Sequence, residues 1–322
     1  MKITIIGLGR MGLNMARRLL SGGHTVTGYS LHKKHAKDLA KEGGIAAYTL
    51  ADAIKKSAKP RVVWLMLPAG EVTDATIEKL KPMLSKGDIV IEGGNSYYKD
   101  DIRRAEALKK KGIIYMDAGV SGGVWGLENG YATMIGGDKK AFKKIEPVIK
   151  TLAPAGGYMY CGETGAGHFV KMIHNAIEYA MMEAYAEGFQ LLKASKYGKN
   201  LDLSKTAAMW NNGSVIRSWL LELLIDEFKK DPGLDKIRGY VEDSGEARFT
   251  LKEAIDTGVA ADAIAISLFK RFNSRQEDVF ANRVLAALRN SFGGHSTMKK
   301  GEKISSGHSA GAARHSKGGK RK

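Results

Sequence analysis

The sequence predicts an α/β fold, a doubly wound sheet domain at the N-terminus followed by an all-α domain, and three observations carry that prediction. Short runs rich in β-branched residues alternate with amphipathic stretches over about the first 160 of 322 residues, the pattern of a parallel sheet covered by helices. A glycine turn, Gly7-Leu8-Gly9-Arg10-Met11-Gly12, directly follows the first of those runs and opens a helix. After Gly165-Ala166-Gly167 the alternation stops, and only helical spacing continues.

In chain order, the strand candidates are Ile3 to Ile6, Thr25 to Tyr29, Val62 to Leu67, Ile89 to Glu92 and Ile113 to Asp117. Between them, apolar residues at a period of 3.6 mark helices at Met11 to Leu20, Lys33 to Glu42, Val72 to Leu84 and Asp100 to Lys111. The stretch from Gly165 to about Lys196 has no proline and predicts one long helix. Further helices are expected near Leu203 to Trp210, Ile216 to Lys229, Phe249 to Asp256, Asp262 to Phe272 and Val279 to Phe292. The expected division is a dinucleotide domain over 1–163, a helical domain over 164–295 and a basic tail over 296–322. No internal repeat is evident.

The composition is globular: 43% hydrophobic, 26% charged and 6 Pro against 39 Gly, which excludes a disordered or collagen-like chain. No apolar run nears the roughly 18 residues of a membrane span, and Met1 to Ile6 runs into the glycine turn without a signal pattern, so a soluble, cytoplasmic protein is expected. Cys161 is the single cysteine and excludes an intrachain disulfide. The formal charge is +17, and Lys299 to Lys322 holds eight basic residues against Glu302 alone. With almost nothing large and apolar, that segment cannot offset its ordering entropy and is expected to be a solvated tail. The remaining excess suits the collection of anionic substrates, though it does not demonstrate it.

A G-x-G-x-x-G match is weak alone and gains weight from its setting at the head of a βαβ unit, the Rossmann-type arrangement. Gly7 permits the tight turn, Gly9 lets the backbone approach a pyrophosphate, and Gly12 lets helix and strand pack closely. Leu8, Arg10 and Met11 complete the turn over the helix N-terminus, where free N–H groups favour an anion. The end of the second strand selects the cofactor, because an acid there binds the ribose 2'-hydroxyl and basic groups suit a 2'-phosphate. Ser30 stands where an acid is expected, and Leu31-His32-Lys33-Lys34 follows, which favours NADP, with NAD as the alternative. A solvated helix start would also account for the two lysines.

On the long helix, Lys171, His174, Asn175 and Glu178 are spaced i, i+3, i+4 and i+7 and fall on one face. A solvent-facing side would give the same spacing. Against that, the neighbours Phe169, Val170, Met172, Ile173, Ile177, Met181 and Met182 are too apolar for a surface helix. A Lys with a Glu two turns on, in a buried cleft, forms an acid/base pair. Trp125 and Trp219 are expected in the core.

The run Gly165-Ala166-Gly167-His168-Phe169-Val170-Lys171-Met172-Ile173-His174-Asn175-Ala176-Ile177-Glu178-Tyr179 resembles the signature of decarboxylating 6-phosphogluconate dehydrogenases. The resemblance extends to Gly7–Gly12, Gly94-Asn95-Ser96, Asp117 to Gly123 and Ala287 to His295, nearly the whole chain, in the family's short form. It implies oxidative decarboxylation of 6-phosphogluconate to ribulose 5-phosphate and CO2 with reduction of NAD(P), a step of the pentose phosphate pathway. Lys171 matches the general base at the C3 hydroxyl, and Glu178 the acid that protonates C1 of the enediol left after carbon dioxide departs. Ser121, Gly122 and Gly123 match the loop at the carboxylate end of the substrate. Asn95, His174 and Asn175 match contacts to its hydroxyls or to the nicotinamide, and Leu67, Pro68 and Ala69 belong with the cofactor contacts. Tyr179, Arg271, Arg289 and His295 match phosphate contacts, the last two supplied by a partner subunit, which implies a homo-oligomer, dimer or tetramer.

These roles need no metal. A protonated lysine beside the β-keto oxygen is the electron sink for decarboxylation, and the same lysine, first neutral through burial and nearby positive charge, is the base. Two departures stand out. Ser244, in Glu242-Asp243-Ser244-Gly245-Glu246-Ala247-Arg248, replaces a phosphate-binding lysine of the larger family members, leaving Arg271, Arg289 and Arg248 for that role. The family's arginine after the second strand is only loosely matched by Ser30 to Lys33. The competing readings are a 3-hydroxyisobutyrate-type dehydrogenase, which shares Lys171 and Asn175 but is not expected to carry Glu178, and a non-catalytic nucleotide or nucleic-acid binding module using the basic tail.

Overall fold

In the computed structural model, residues 1–293 and 296–298 are described. An eight-stranded sheet in the order β3-β2-β1-β4-β5-β6-β7-β8 forms the N-terminal layer. Its strands are β1 (Lys2–Ile6), β2 (Thr25–Tyr29), β3 (Ile45–Ala47), β4 (Val62–Leu65), β5 (Ile89–Glu92), β6 (Ile114–Ser121), β7 (Ala132–Gly137) and β8 (Tyr158–Gly162). The first six are parallel and follow the doubly wound order, with the reversal between β1 and β4. Helices α1 (Arg10–Ser21), α2 (Lys33–Lys41), α3 (Leu50–Lys56), α4 (Glu71–Leu80), α5 (Tyr98–Lys109) and α7 (Lys139–Leu152) cover the two faces; α6 (Gly126–Asn129) is a single turn. Ile5, Trp64, Leu65, Ile91 and Met116 are fully buried between the layers.

One part of the parallel expectation needs correction. β7 runs antiparallel to β6, pairing Met116 with Gly137 through Ser121 with Ala132, and β8 then pairs parallel to β7. A parallel return needs a crossover of a dozen or more residues. Between Ser121 and Ala132 the chain holds only a 3-10 turn, Gly123–Trp125, and α6, so it doubles back. Strands β3, β7 and β8 and helices α3 and α7 were not among the sequence candidates.

After β8 comes α8 (Ala166–Ala194), 29 residues and about 43 Å long, then α9 (Leu203–Asn211), α10 (Trp219–Lys230), α11 (Glu246–Thr257) and α12 (Asp262–Asn273). Helix α8 packs against β6 and β7 on one side and α11 and α12 on another. Phe189, Leu221, Ile225 and Phe228 form one apolar cluster at its far end, and Ala176, Tyr179, Ala247 and Leu268 another nearer the sheet. Contacts divide the chain into two units, Met1–Ser274 and the part from Arg275 onward, where α13 (Phe280–Gly293) is the described helix. The expected boundary at 163 falls within the first unit, between β8 and α8.

Candidate active site

The glycine turn has the local geometry its spacing requires. Gly7 adopts φ +99°, and a Cβ there would overlap the Met66 carbonyl. A Cβ on Gly12 would overlap the Gly7 carbonyl, so only glycine lets α1 start this close to β1. A Cβ on Gly9 would meet nothing within 4 Å, so the backbone lies open at that point. Gly9 is the N-cap of α1 with no side-chain cap, and the first turn carries no acid; the free N–H groups and positive dipole end suit a pyrophosphate. Leu8 is wholly buried, so its contribution to this cradle is backbone, and Arg10 is exposed. At the end of β2, Ser30 is buried while Leu31, His32, Lys33 and Lys34 are exposed, with His32 as the N-cap of α2.

Helix α8 is set onto the sheet by a carboxylate and three glycines. Its N-cap, Gly165, has no capping side chain. Asp117 of β6 does that work from outside the helix, accepting the Gly165 N–H at 2.7 Å and the His168 N–H at 2.9 Å. A Cβ on Gly136 or Gly167 would overlap the Asp117 carboxylate, and one on Gly119 would overlap the Lys171 Cβ. The helix therefore lies flush on β6 and β7 with Lys171 directly above the strand that ends in Ser121.

Around that lysine lies a cleft of about 1320 Å³ at the carboxyl ends of the strands. Of the expected residues it is lined by Met11, Leu67, Pro68, Ala69, Asn95, Ser121, Gly122, Gly123, Lys171, His174, Asn175 and Glu178. The structure thus brings the two halves of the sequence motif set to one cavity. Lys171 is 5% exposed, and burial lowers its pKa from the usual lysine value, against the pull of Glu178 and Glu246. The positive neighbours expected from the sequence are corrected here: the charges that bear on Lys171 are these two carboxylates, and desolvation alone depresses it. Glu178 is only half-buried at the cleft wall, 4.0 Å from His174 Nδ1, rather than enclosed. Asn175 Nδ2 donates to Glu246 Oε1 at 2.8 Å, and His174 Nδ1 lies 3.0 Å from Asn175 Oδ1.

Behind the wall runs a buried ionic network. His168 Nδ1 is 2.7 Å from Asp101, which also accepts the Tyr115 hydroxyl at 2.6 Å. Burial pulls the His168 imidazole down, but Asp101, with Glu92 and Asp117 beyond, outweighs it and pushes the pKa up to about 10. Glu92 accepts the Gly94 N–H at 2.8 Å, fixing the turn that presents Asn95. Arg104 donates to Ser96 at 3.1 Å in the same turn and to Asp74 at 2.7 Å. Glu92, Asp101 and His168 lie close enough to hold a metal, yet His168 and Arg104 already supply the positive charge.

The phosphate-end residues are placed differently. Tyr179 is buried off the cleft wall, its hydroxyl accepting the Ser244 N–H at 2.8 Å and lying 2.9 Å from Ser244 Oγ; Ser244 is the member of that pair on the wall. The Arg271 guanidinium lies over the Tyr179 ring, 3.5 Å from its centre, and donates to the Glu242 carbonyl at 2.8 Å. Arg248 forks onto Asp243 at 2.6 and 3.0 Å. Arg289 lies on α13, in the second unit, and His295 and the tail from Lys299 lie outside the described residues. Trp125 and Trp219 correct the core expectation: they are 48% and 44% exposed, and both line the cleft. The α10 wall (Ser218, Trp219, Leu220, Leu223) and Glu246 had no sequence signal, because neither belongs to a motif with its cleft neighbours. Likewise Ile177, Met181 and Met182 are exposed rather than packed.

Comparison with known proteins agrees with this geometry. Residues 2–162 match the family model for the NAD binding domain of 6-phosphogluconate dehydrogenase, and residues 167–310 match the 6-phosphogluconate dehydrogenase C-terminal domain. A Bacillus subtilis (strain 168) protein provisionally named a 6-phosphogluconate dehydrogenase is 45% identical over 93% of this chain and 100% of its own length. A Haloferax volcanii protein named an NAD(+)-dependent, decarboxylating 6-phosphogluconate dehydrogenase is 40% identical over 93% of this chain and 99% of its own. Among solved structures, Plasmodium falciparum 6-phosphogluconate dehydrogenase superposes with a TM-score of 0.78 at 28% identity, covering 94% of this chain and 67% of that one. With a buried lysine and a carboxylate around one cleft that reaches Met11 of the glycine turn, and both family models matched in sequence order, the chain belongs to the 6-phosphogluconate dehydrogenase family.

Proposed function

We propose that the chain oxidatively decarboxylates 6-phospho-D-gluconate to D-ribulose 5-phosphate and CO2. The observation that carries this reading is Lys171, buried with a depressed pKa, sharing one cleft with Glu178, Asn95 and the Ser121-Gly122-Gly123 loop. A dehydrated lysine is neutral for more of the time at working pH, so it can take the C3 hydroxyl proton. The bound nicotinamide serves as hydride acceptor. Once protonated, Lys171 faces the new carbonyl oxygen and stabilises the charge that develops there as the C1–C2 bond breaks. Glu178, half-exposed, gives a proton to the former C2, which becomes C1 of ribulose 5-phosphate, and can regain one from solvent.

The Gly7–Gly12 cradle and helix α1 would hold the pyrophosphate, with Leu67, Pro68, Ala69 and Met11 along the cofactor's path. Two subtypes of cofactor suit the family: the Haloferax relative is named NAD(+)-dependent, and NADP+ is named as the cofactor of the Plasmodium enzyme. Without an acid at 30 and with His32, Lys33 and Lys34 exposed, the end of β2 favours NADP, with NAD as the alternative. For the phosphate end we assign Tyr179 through Ser244, Arg271, and Arg289 with His295 from a partner subunit of a homo-oligomer. Exposed apolar side chains on α11 and α12, among them Ile255, Ile266 and Phe269, are consistent with such an assembly. We read 1–163 as the dinucleotide domain, 164–295 as the substrate and dimerisation domain, and 296–322 as a basic tail of a cytoplasmic enzyme. Among the described residues no helix is long and apolar enough to cross a membrane.

The deciding assay offers 6-phosphogluconate and 3-hydroxyisobutyrate separately and measures dinucleotide reduction and CO2 release. Equal yields of both products from 6-phosphogluconate are expected. Preference for the unphosphorylated acid, without CO2, would overturn the reading.

A further inference from the structure

Glu246 belongs to none of the roles above, yet its side chain touches the polar stripe from outside α8. It is the first residue of α11, 2% exposed, and directly follows the loop whose Ser244 replaces the expected lysine. One oxygen accepts from Asn175; the other is buried and meets no hydrogen-bond partner among the described residues. A carboxylate buried on these terms is costly, so the bond it does make is informative.

That bond determines which way the Asn175 carboxamide faces. The amide's oxygen and nitrogen are nearly equal in size, but a carboxylate only accepts, so Nδ2 must face Glu246. Oδ1 is thereby turned to His174 Nδ1, 3.0 Å away, and an amide oxygen can only accept there. His174 Nδ1 must then carry the hydrogen, and in a neutral imidazole Nε2 is left as an acceptor. Glu178 Oε2, 4.0 Å from the same Nδ1, favours the same tautomer.

We propose, on the footing of the functional reading above, that Glu246 is a positioning residue: through Asn175 it fixes His174 as the Nδ1–H tautomer, so that the cleft receives an imidazole acceptor for a substrate hydroxyl. The charged groups facing Lys171 are Glu178 from its own helix and Glu246 from α11, while the β6 side offers Gly119. Loss of the Glu246 charge therefore also moves the acid limb of the kcat/KM profile to lower pH.

The test pairs Glu246→Leu, which removes the acceptor, with Glu246→Gln, which keeps an acceptor and removes the charge. Histidine 15N NMR of the full chain, with His174 assigned by His174→Asn, is expected to show Nδ1–H in wild type and Glu246→Gln and a mixed tautomer in Glu246→Leu. Turnover of 6-phosphogluconate should fall roughly ten- to a hundredfold in Glu246→Leu and recover largely in Glu246→Gln, whose acid limb shifts down, while KM for the dinucleotide stays within about twofold. Should Glu246→Leu fail to fold, Asn175→Leu severs the same link. An unchanged Nδ1–H signal in the folded variant overturns the inference. A wild type inactive on 6-phosphogluconate would instead overturn the functional reading, since the NMR needs no turnover.

Discussion

Gly119 lies so close beneath Lys171 that a Cβ at position 119 would overlap the lysine's own Cβ. The lysine we propose as the base is thus placed by the absence of a side chain on the neighbouring strand. Gly119→Ala should push α8 off β6, and a displacement of about 1 Å at a reacting group can cost around a hundredfold in turnover. Overpacking of this kind also destabilises by about 1 to 3 kcal/mol. Steady-state kinetics and a thermal melt check both; a variant with normal kcat would show that the seam does not set the lysine's position.

Removing the acid/base groups should be more severe. Lys171→Ala is expected to lower kcat by at least about 10² to 10⁴, the usual worth of a positioned acid or base. Glu178→Gln should slow ribulose 5-phosphate formation by a similar order. Retention of more than about a tenth of wild-type turnover in Lys171→Ala would remove it as the base.

Cofactor choice is tested at Ser30. A carboxylate there would repel a 2'-phosphate and accept from a 2'-hydroxyl, so Ser30→Asp should lower kcat/KM for NADP by at least about tenfold and spare or raise it for NAD. The wild-type ratio of the two is expected to favour NADP. A wild-type ratio clearly favouring NAD would show that His32 to Lys34 do not face the ribose.

His168 predicts an alkaline weakness. Its folded pKa of about 10 lies above the usual 6.5, so the stabilisation from its ion pair with Asp101 is complete below pH 6.5 and is lost as pH rises through 10. His168→Gln should therefore melt well below wild type at pH 6.5, with the gap narrowing toward pH 10. A gap that stays constant over that range would mean the imidazole is neutral in the fold.

Motifs made of neighbouring residues were legible in the sequence, whereas pairings across the fold were not. Gly7, Gly9 and Gly12 act over six residues, and Lys171 to Glu178 over two helical turns, so spacing alone showed their geometry. Asn175 and Glu246 are 71 residues apart, and nothing local to either one signals the other. The strands β7 and β8 were missed because Gly136, Gly137 and Gly162 dilute their β-branched pattern, and the pairing of β7 with β6 and of β8 with β7 decides their conformation. Trp125 and Trp219 were misplaced because large aromatic residues usually pack inward; here each borders the cleft.

Because Lys171 and Glu178 share the unbroken rod of α8, the spacing between their backbone anchors is set by the helix itself. Residues elsewhere around the cleft can change without altering that backbone spacing. Loops that capture different sugar acids can therefore diverge without the proton-handling pair being rebuilt.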